Sequence, residues 1–210
     1  MSTVSKSMTM TYSLLRFAHL LGLMLIGAGL IGVWVSDLRS RQVRDLARFG
    51  EAIRNIAVFY DGVVVPGAVT LFASGVWMTA TAWDGWGFLQ YPWLAGIIFL
   101  FAFEFIEGNT VTRLYFMRLR RLTNDALVLK TPTPELSRAR QELIPTFTHF
   151  LDIPLLMVIV SLGVIQPASW VQFIVGTICA IGMAAALTMW IPRLYPWDPM
   201  TQGQPRPSLD

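Results

Sequence analysis

Five ionisable side chains interrupt stretches of this sequence that otherwise have the composition of membrane-spanning helices: Asp61, Glu104, Glu107, His149 and Asp152. A charge inside a bilayer is costly unless a partner or water stabilises it, so such residues mark functional sites by default. Counted along the predicted helices at about 1.5 Å per residue, all five lie about 5 to 12 Å in from the cytoplasmic ends of their spans. We therefore predict one shared ionisable site.

The spacing of these residues is compatible with three kinds of chemistry. Glu104 and Glu107, like His149 and Asp152, are three residues apart, so each pair projects from one helix face. In the structural interpretation, Arg113 and His149 neutralise the acids, and the network fixes helix register. In the proton-path interpretation, crowded carboxyl groups share protons in a relay or a coupled transporter. In the metal interpretation, Glu104, Glu107, His149 and Asp152 bind a divalent ion.

The second histidine, His19, lies about 9 Å below the outer end of the first apolar stretch, by helical rise. A solitary imidazole in an apolar helix is a candidate axial ligand for haem b. His149 starts from the opposite side of the membrane, so the two histidines should lie about 15 Å apart along the membrane normal. A haem on His19 would then need Met78, another ligand or an open position. The alternative is a hydrogen bond from His19 to a neighbouring helix.

Helices must position these groups, because the composition is that of a small polytopic membrane protein. The chain has 210 residues, 54% of them hydrophobic and 14% charged, with a mean hydropathy of +0.55. No alternating strand pattern appears, and five stretches reach the length of about 20 residues that a span needs. We predict an all-α membrane helical bundle. Its parts are an N-terminal segment 1–12, spans at about 13–35, 56–80, 92–112, 146–165 and 169–191, loops 36–55 and 113–145, and a Pro-rich tail 192–210.

Positive charge predicts the orientation of the bundle. The loops 36–55 and 113–145 hold five and seven Lys or Arg residues, whereas the other two loops hold none. Basic loops face the cytoplasm, which predicts an N-terminus outside and a C-terminus in the cytoplasm of a multi-pass inner-membrane protein. A short surface helix is predicted at 135–143. The tryptophans are expected in two belts, the outer one comprising Trp77, Trp83, Trp86, Trp93 and Trp170 and the inner one Trp34, Trp190 and Trp197.

Several short motifs resemble known membrane families. The opening of the first span, Phe17–Gly22, resembles the copper-resistance-D-like superfamily. More specifically, Val65–Gly67 with Ser74–Trp77, then Pro92–Leu94 and Arg118–Arg120, looks like an uncharacterised branch of predicted integral membrane proteins, over roughly residues 12–166. That branch implies no assigned activity. The wider superfamily includes copper-uptake proteins and HemJ-type protoporphyrinogen oxidases, which use a first-span histidine for haem. The resemblance therefore implies a haem role at position 19 alone.

Three functions remain open from the sequence. The first is a proton- or ion-handling membrane component, as a subunit of a redox complex for example, with Glu104 and Glu107 as the binding groups. The second is a haem-b redox protein that uses His19. The third is a non-catalytic scaffold or accessory subunit. The expected partners are the lipid bilayer, anionic headgroups attracted by the Arg clusters, and a homo-oligomer or larger membrane complex. Nucleic-acid binding is not expected, because membrane topology explains the Arg clusters.

Overall fold

The protein contains five helical rods that are each long and apolar enough to cross a membrane. The structure is a computed structural model, and it describes residues 3–82 and 85–197. None of the described residues forms a β-strand, so the prediction of an all-α bundle with five spans is confirmed. The helices are α1 (Thr3–Arg41), α2 (Leu46–Phe59), α3 (Val65–Ala82), α4 (Pro92–Glu107), α5 (Arg113–Leu129), α6 (Pro134–Ala139), α7 (Leu143–Ile165) and α8 (Val171–Leu194).

Two of the rods contain a single wide turn of π-helix. The first π segment, Tyr60–Val64, joins α2 to α3, and the second, Gly108–Thr112, joins α4 to α5. Pro66 has no N–H to donate to the turn before it, which favours irregular hydrogen bonding there. The first π segment closes with the Val65 N–H donating to the Tyr60 carbonyl, five residues back. A 3₁₀ turn, Gly85–Gln90, connects α3 to α4.

The stretches predicted as cytoplasmic loops are mostly helical. The predicted N-terminal segment, residues 1–12, is also largely helical, because α1 begins at Thr3 and ends at Arg41. The rod from Leu46 to Ala82 has 37 residues, which at 1.5 Å each is about 55 Å, far longer than a ~30 Å apolar core. The part of this rod that exceeds the apolar core lies at the end of the bundle that carries α2, α5 and α6. We call these three helices and the end of α1 that packs on them the basic module.

The basic module has its own apolar core. Its members come from α1, α2, α5 and α6, and Leu46, Phe49, Ile53 and Ile56 on α2 recur at the spacing of one helix face. The predicted surface helix is α6, and its Leu136 is fully buried against this core. Of the tryptophans predicted for the inner belt, Trp197 packs on the core of the module, whereas Trp34 donates a hydrogen bond to the His149 carbonyl of α7.

Glycine contacts bring α1 and α3 together as antiparallel neighbours. A Cβ added at Gly22 would lie 2.7 Å from the Leu71 backbone nitrogen, and one at Gly67 would lie 2.8 Å from Leu25 Cβ. A Cβ at Gly29 would meet Val64 at 2.5 Å. These glycines therefore set the distance between the two helices. On the other side, α4, α7 and α8 share a second apolar core, and the two halves meet at the level of the π segments.

Candidate functional site

The two π segments lie side by side and are joined by a hydrogen bond. The Tyr60 hydroxyl donates to the Gly108 carbonyl at 2.7 Å, and that carbonyl also accepts the Arg113 N–H in the π pattern. Gly108 has to be glycine for this contact, because a Cβ there would lie 2.7 Å from the Tyr60 oxygen. Single-turn π segments occur frequently at functional sites. Neither π segment was predicted from the sequence, although Pro66 lies two residues after the first one.

The second π segment holds Glu107 in a buried row of hydroxyl groups. Thr112 lies five residues after Glu107, a spacing that the wide turn brings together, and its hydroxyl donates to Glu107 Oε1 at 2.8 Å. Thr112 Oγ1 is also 3.1 Å from Thr148 Oγ1 on α7, and Thr148 is 3.2 Å from the Pro145 carbonyl. Glu107 is therefore connected to α7 through two hydroxyls in series. We call Glu107, Thr112 and Thr148 the hydroxyl chain.

Glu104 and Asp152 lie on the wall of a cavity of about 90 Å³. Tyr60 and Asn109 are its other polar lining residues, and the rest of the wall is apolar. Asp152 is only 3% exposed. Glu104, Glu107 and Asp152 interact electrostatically with one another, so the structure brings together three of the five predicted groups. We call these three residues the carboxyl cluster. The cavity has room for about three water molecules at ~30 Å³ each.

Asp61 and Arg113 do not belong to the carboxyl cluster. Arg113 Nε donates to Asp61 Oδ1 at 2.9 Å, and the two side chains are 40% and 45% exposed at the surface of the bundle. The expectation that Arg113 neutralises the glutamates is therefore not met by the geometry. Within the ranges whose side chains the structure describes, 10–82 and 86–197, no Lys or Arg forms an ion pair with Glu104, Glu107 or Asp152.

His149 borders the carboxyl cluster without a hydrogen bond to it. Its Nδ1 is 4.0 Å from Asp152 Oδ2, beyond hydrogen-bonding distance, and neither ring nitrogen has a hydrogen-bond partner among the described residues. Its ring lies against the aromatic rings of Trp34, Phe116 and Phe150. His149 is therefore surrounded by aromatic side chains and does not neutralise the acids through a hydrogen bond.

The predicted metal site is not assembled. Among the described residues, no group of three or more His, Cys, Asp and Glu side chains is arranged to hold a metal ion. His149 faces the aromatic rings, while Glu107 faces the hydroxyl chain. The donor set of Glu104, Glu107, His149 and Asp152 therefore does not converge on one point among the described side chains.

A second buried ionic group lies in the basic module and was missed from the sequence. Arg41 Nε donates to Asp37 Oδ2 at 3.0 Å, and both side chains are buried. The Arg41 guanidinium lies 4.6 Å from the centre of the Trp197 ring, and the Arg140 guanidinium lies 4.2 Å from it. Both arginines had been counted as loop charges that set topology. Nothing in the sequence distinguishes them from their exposed neighbours, because burial depends on how α1 and α6 pack.

His19 makes the interhelical hydrogen bond of the alternative interpretation. Its Nδ1 is 3.1 Å from Ser74 Oγ on α3, and the Ser74 hydroxyl donates to the Thr70 carbonyl at 2.6 Å. When the Ser74 hydroxyl donates to the Thr70 carbonyl, His19 donates to Ser74 through Nδ1–H, and Nε2 then carries the lone pair of the ring. His149 contacts α1 at Trp34, fifteen residues beyond His19, a separation of roughly 22 Å by helical rise. The two histidines therefore lie at different depths, as predicted.

One family of known proteins matches the chain. The family model described as "Predicted integral membrane protein (DUF2269)" matches residues 13–167, a stretch that includes both π segments and the carboxyl cluster. No curated protein matches the chain, and no solved structure does. The match agrees with the resemblance to an uncharacterised membrane family, whereas the wider copper-resistance-D-like and HemJ-like placement stays a prediction.

Proposed function

We propose that this chain, which belongs to the DUF2269 family of predicted integral membrane proteins, binds and releases protons at its carboxyl cluster. The cluster consists of Glu104, Glu107 and Asp152, which come from two of the five rods. In this proposal the protein is a proton-handling component of a membrane system. Asp61 and Arg113, which were first assigned to the same site, neutralise each other outside it.

The observation that carries the proposal is a set of buried acids without a cationic partner. Neither Glu104, Glu107 nor Asp152 forms an ion pair with Lys or Arg among the described side chains. Three ionised carboxylates in a low-dielectric site repel one another, and each loses hydration energy. Such a group is stabilised when some of its members hold protons. The number of bound protons can then change with the surroundings of the site.

The hydroxyl chain accommodates either protonation state of Glu107. With Glu107 ionised, Thr148 donates to Thr112, and Thr112 donates to the carboxylate. With Glu107 protonated, the carboxyl donates to Thr112, Thr112 donates to Thr148, and Thr148 donates to the Pro145 carbonyl. The distances of 2.8, 3.1 and 3.2 Å suit both directions. The two hydrogen bonds within the hydroxyl chain persist in both states, and the protonated state adds the one to the Pro145 carbonyl, so Glu107 has a hydrogen-bond partner in either state.

The cavity extends the proposed proton path on the side of the carboxyl cluster away from the hydroxyl chain. Glu104 and Asp152 face a space that has room for a few waters, and Tyr60 borders the same space. Waters that bridge two polar groups can transfer protons between carboxyls that do not touch. Glu107 lies one helical turn from Glu104 and leads into the hydroxyl chain. The proposed path therefore runs from the cavity, through the carboxyl cluster, to α7.

Infrared difference spectroscopy during a pH titration tests this proposal directly. Protonated carboxyl groups absorb in a carbonyl-stretching region that is separate from carboxylates, so the wild-type protein in lipid should show titrating bands there. Glu104→Gln, Glu107→Gln and Asp152→Asn should each remove or shift a band. Asp61→Asn is the matched control, because Asp61 is paired with Arg113 at the surface, and it should leave those bands in place. If no variant of the carboxyl cluster alters the bands, the scaffold interpretation replaces this one.

A second candidate function is haem binding at His19, and one observation favours it. The Nδ1–H of His19 is held by Ser74, and this leaves Nε2 as a possible axial ligand, the arrangement that metal-binding imidazoles adopt. The fit is incomplete, because His149 is too distant to serve as the second ligand and His19 is not among the residues that line the cavity. Added haem whose Soret band stays at the position of free haem in the presence of the purified protein would end this alternative.

Location and partners are also proposals. We infer that the basic module faces the cytoplasm of an inner-membrane protein, because the loops rich in Arg lie there. Exposed arginines on that module would attract anionic headgroups, and a homo-oligomer or larger complex would cover part of α8, of which few residues are buried. Stabilisation of the protein by anionic lipid, lost at high salt, would support the headgroup contact.

A further inference from the structure

The cavity beside the carboxyl cluster is lined by residues of both α3 and the rod that contains α4. Val65 and Val69 come from α3, and Phe105 and Asn109 come from the facing rod; we call these four residues the rim. Val69 and Phe105 are both exposed on the apolar flank of the spans. The helix pairs that pack most extensively lie elsewhere, α1 with α3 and α7 with α8. A molecule dissolved in the bilayer could therefore reach the acids without passing through the basic module.

Phenylalanine rings bridge the gap between α3 and α4 next to the opening. Phe72 on α3 is stacked on Phe101 at 6.4 Å and on Phe105 at 6.2 Å, measured between ring centres. Phe101 and Phe105 also lie within 6.2 Å of each other. The faces of aromatic rings attract cations, more strongly when water is absent. The entrance is thus both apolar and favourable to a positively charged group.

The inner wall of the cavity carries acidic side chains, whose negative charge would complement a positively charged group. Asp152 is 97% buried, lies on the cavity wall and has no hydrogen-bond partner among the described side chains. Glu104 and Tyr60 line the same cavity. A donor that carries positive charge would satisfy both carboxylates at once. A volume of about 90 Å³ admits an ammonium group and the first methylenes of a chain, but not a large ring system.

We infer that the carboxyl cluster binds the protonated amine head of a membrane-dissolved amphiphile, which enters laterally between α3 and α4 with its chain left in the lipid. This inference rests on the proposed function, since the same carboxyls must give up protons for the amine to bind as an ion pair. The phenylalanine rings would contact the head as it passes and the first methylenes once it is bound. Proton exchange and amine binding would then compete at Glu104 and Asp152.

The test uses the full-length protein in lipid nanodiscs and a photoreactive dodecylamine that carries a diazirine near its head. Peptide mapping should place the crosslink on the residues of the rim, Val69 and Phe105 among them. Unlabelled dodecylamine should compete, whereas dodecanol should not, because it lacks the charge. Sodium or potassium ions that compete as well as dodecylamine would show that an inorganic cation occupies the site, and this outcome overturns the inference.

Variants separate binding from folding. Asp152→Asn should weaken competition by dodecylamine roughly tenfold to hundredfold, the loss expected for a hydrogen bond to a charged group. Asp61→Asn should have no effect. Should Asp152→Asn fail to fold, Phe105→Trp serves instead, since it narrows the entrance and leaves every carboxyl in place. It should abolish the crosslink while the titrating infrared bands persist.

The same variants distinguish the two proposals from each other. Infrared bands without specific amine crosslinking would refute amine binding and leave proton exchange standing. Crosslinking without titrating carboxyl bands would refute the proton proposal, and with it the ionic basis for the amine. Crosslinks spread over all lipid-facing helices, unchanged in Phe105→Trp, would mean that the probe partitions into the bilayer without a binding site.

Discussion

Replacing Thr112 by valine is the sharpest test of the hydroxyl chain. Valine has nearly the same shape as threonine, but it removes the hydroxyl that donates to Glu107 at 2.8 Å and contacts Thr148 at 3.1 Å. Thr112 is fully buried, so water cannot easily replace the lost contacts. A hydrogen bond to a charged group contributes about 1.5–3 kcal/mol. We expect Thr112→Val to lower the free energy of unfolding by about this amount.

The loss can be measured as a change in Tm. For a chain of this size, 1 kcal/mol corresponds to about 2–4 °C, so Thr112→Val should melt roughly 3–12 °C below the wild type in detergent. Tryptophan fluorescence would follow the transition. Thr112→Ser is the matched control, because it keeps the hydroxyl and removes one methyl group. Its loss should be about 0.8 kcal/mol, or roughly 2–3 °C.

The reasoning is refuted if the two variants melt at the same temperature, because removing the hydroxyl would then cost no more than removing a methyl group. A second readout does not depend on stability. The infrared band assigned to Glu107 should shift in Thr112→Val, since its hydrogen-bond partner is gone, and should stay near its wild-type position in Thr112→Ser. A band that is unmoved in Thr112→Val would mean that Glu107 does not interact with this hydroxyl in the folded protein.

Three further outcomes are expected from thermal unfolding and proteolysis. Tyr60→Phe should cost about 1 kcal/mol, because it removes the hydrogen bond to the Gly108 carbonyl; an unchanged Tm would mean that this link between the π segments is not formed. Gly22→Ala should lower the free energy of unfolding by about 1–3 kcal/mol through a backbone clash. Gly182→Ala, where an added Cβ meets nothing within 4 Å, should not destabilise the protein, and equal effects would contradict the close approach of α1 and α3. Trp197→Ala should make the C-terminal tail easier to cleave, since two guanidiniums lose their ring, and Trp197→Phe should restore part of the protection.

Hydropathy alone located the five spans, because the bilayer sets both their length and their composition. It misjudged the ends of the rods, since a run of apolar residues measures how much of a helix lies in lipid and not where the helix stops. The four core residues of α2, from Leu46 to Ile56, carry the missing signal in their periodicity. The fully buried Leu136 on α6 shows that this region is a packed module.

A sequence reveals how deep a residue lies along a membrane helix better than it reveals the direction in which the side chain points around the helix axis. Counting residues placed Glu104, Glu107 and Asp152 at one level, and the structure brings them together. The same count placed Asp61 and His149 there too, but Asp61 lies at the surface and His149 among aromatic rings. A π segment adds a residue to a turn and so rotates the helix beyond it, by about 100° relative to an uninterrupted helix. Pattern analysis that assumes one regular period cannot follow such a rotation.

The distribution of cations argues against a purely structural role for the buried acids. A network that served only to fix helix register would use the nearest guanidinium, and Arg113 lies six residues after Glu107 on the same rod. Arg113 instead pairs with Asp61 at the surface, and Arg41 pairs with Asp37 inside the basic module. Each of these two aspartates therefore has an arginine, while the acids beside the cavity have none among the described residues. An arginine placed in the cavity would fix the charge of the site and exclude any exchangeable cation. The exchange of a proton or a protonated amine that we propose for the carboxyl cluster requires a site without such a fixed cation.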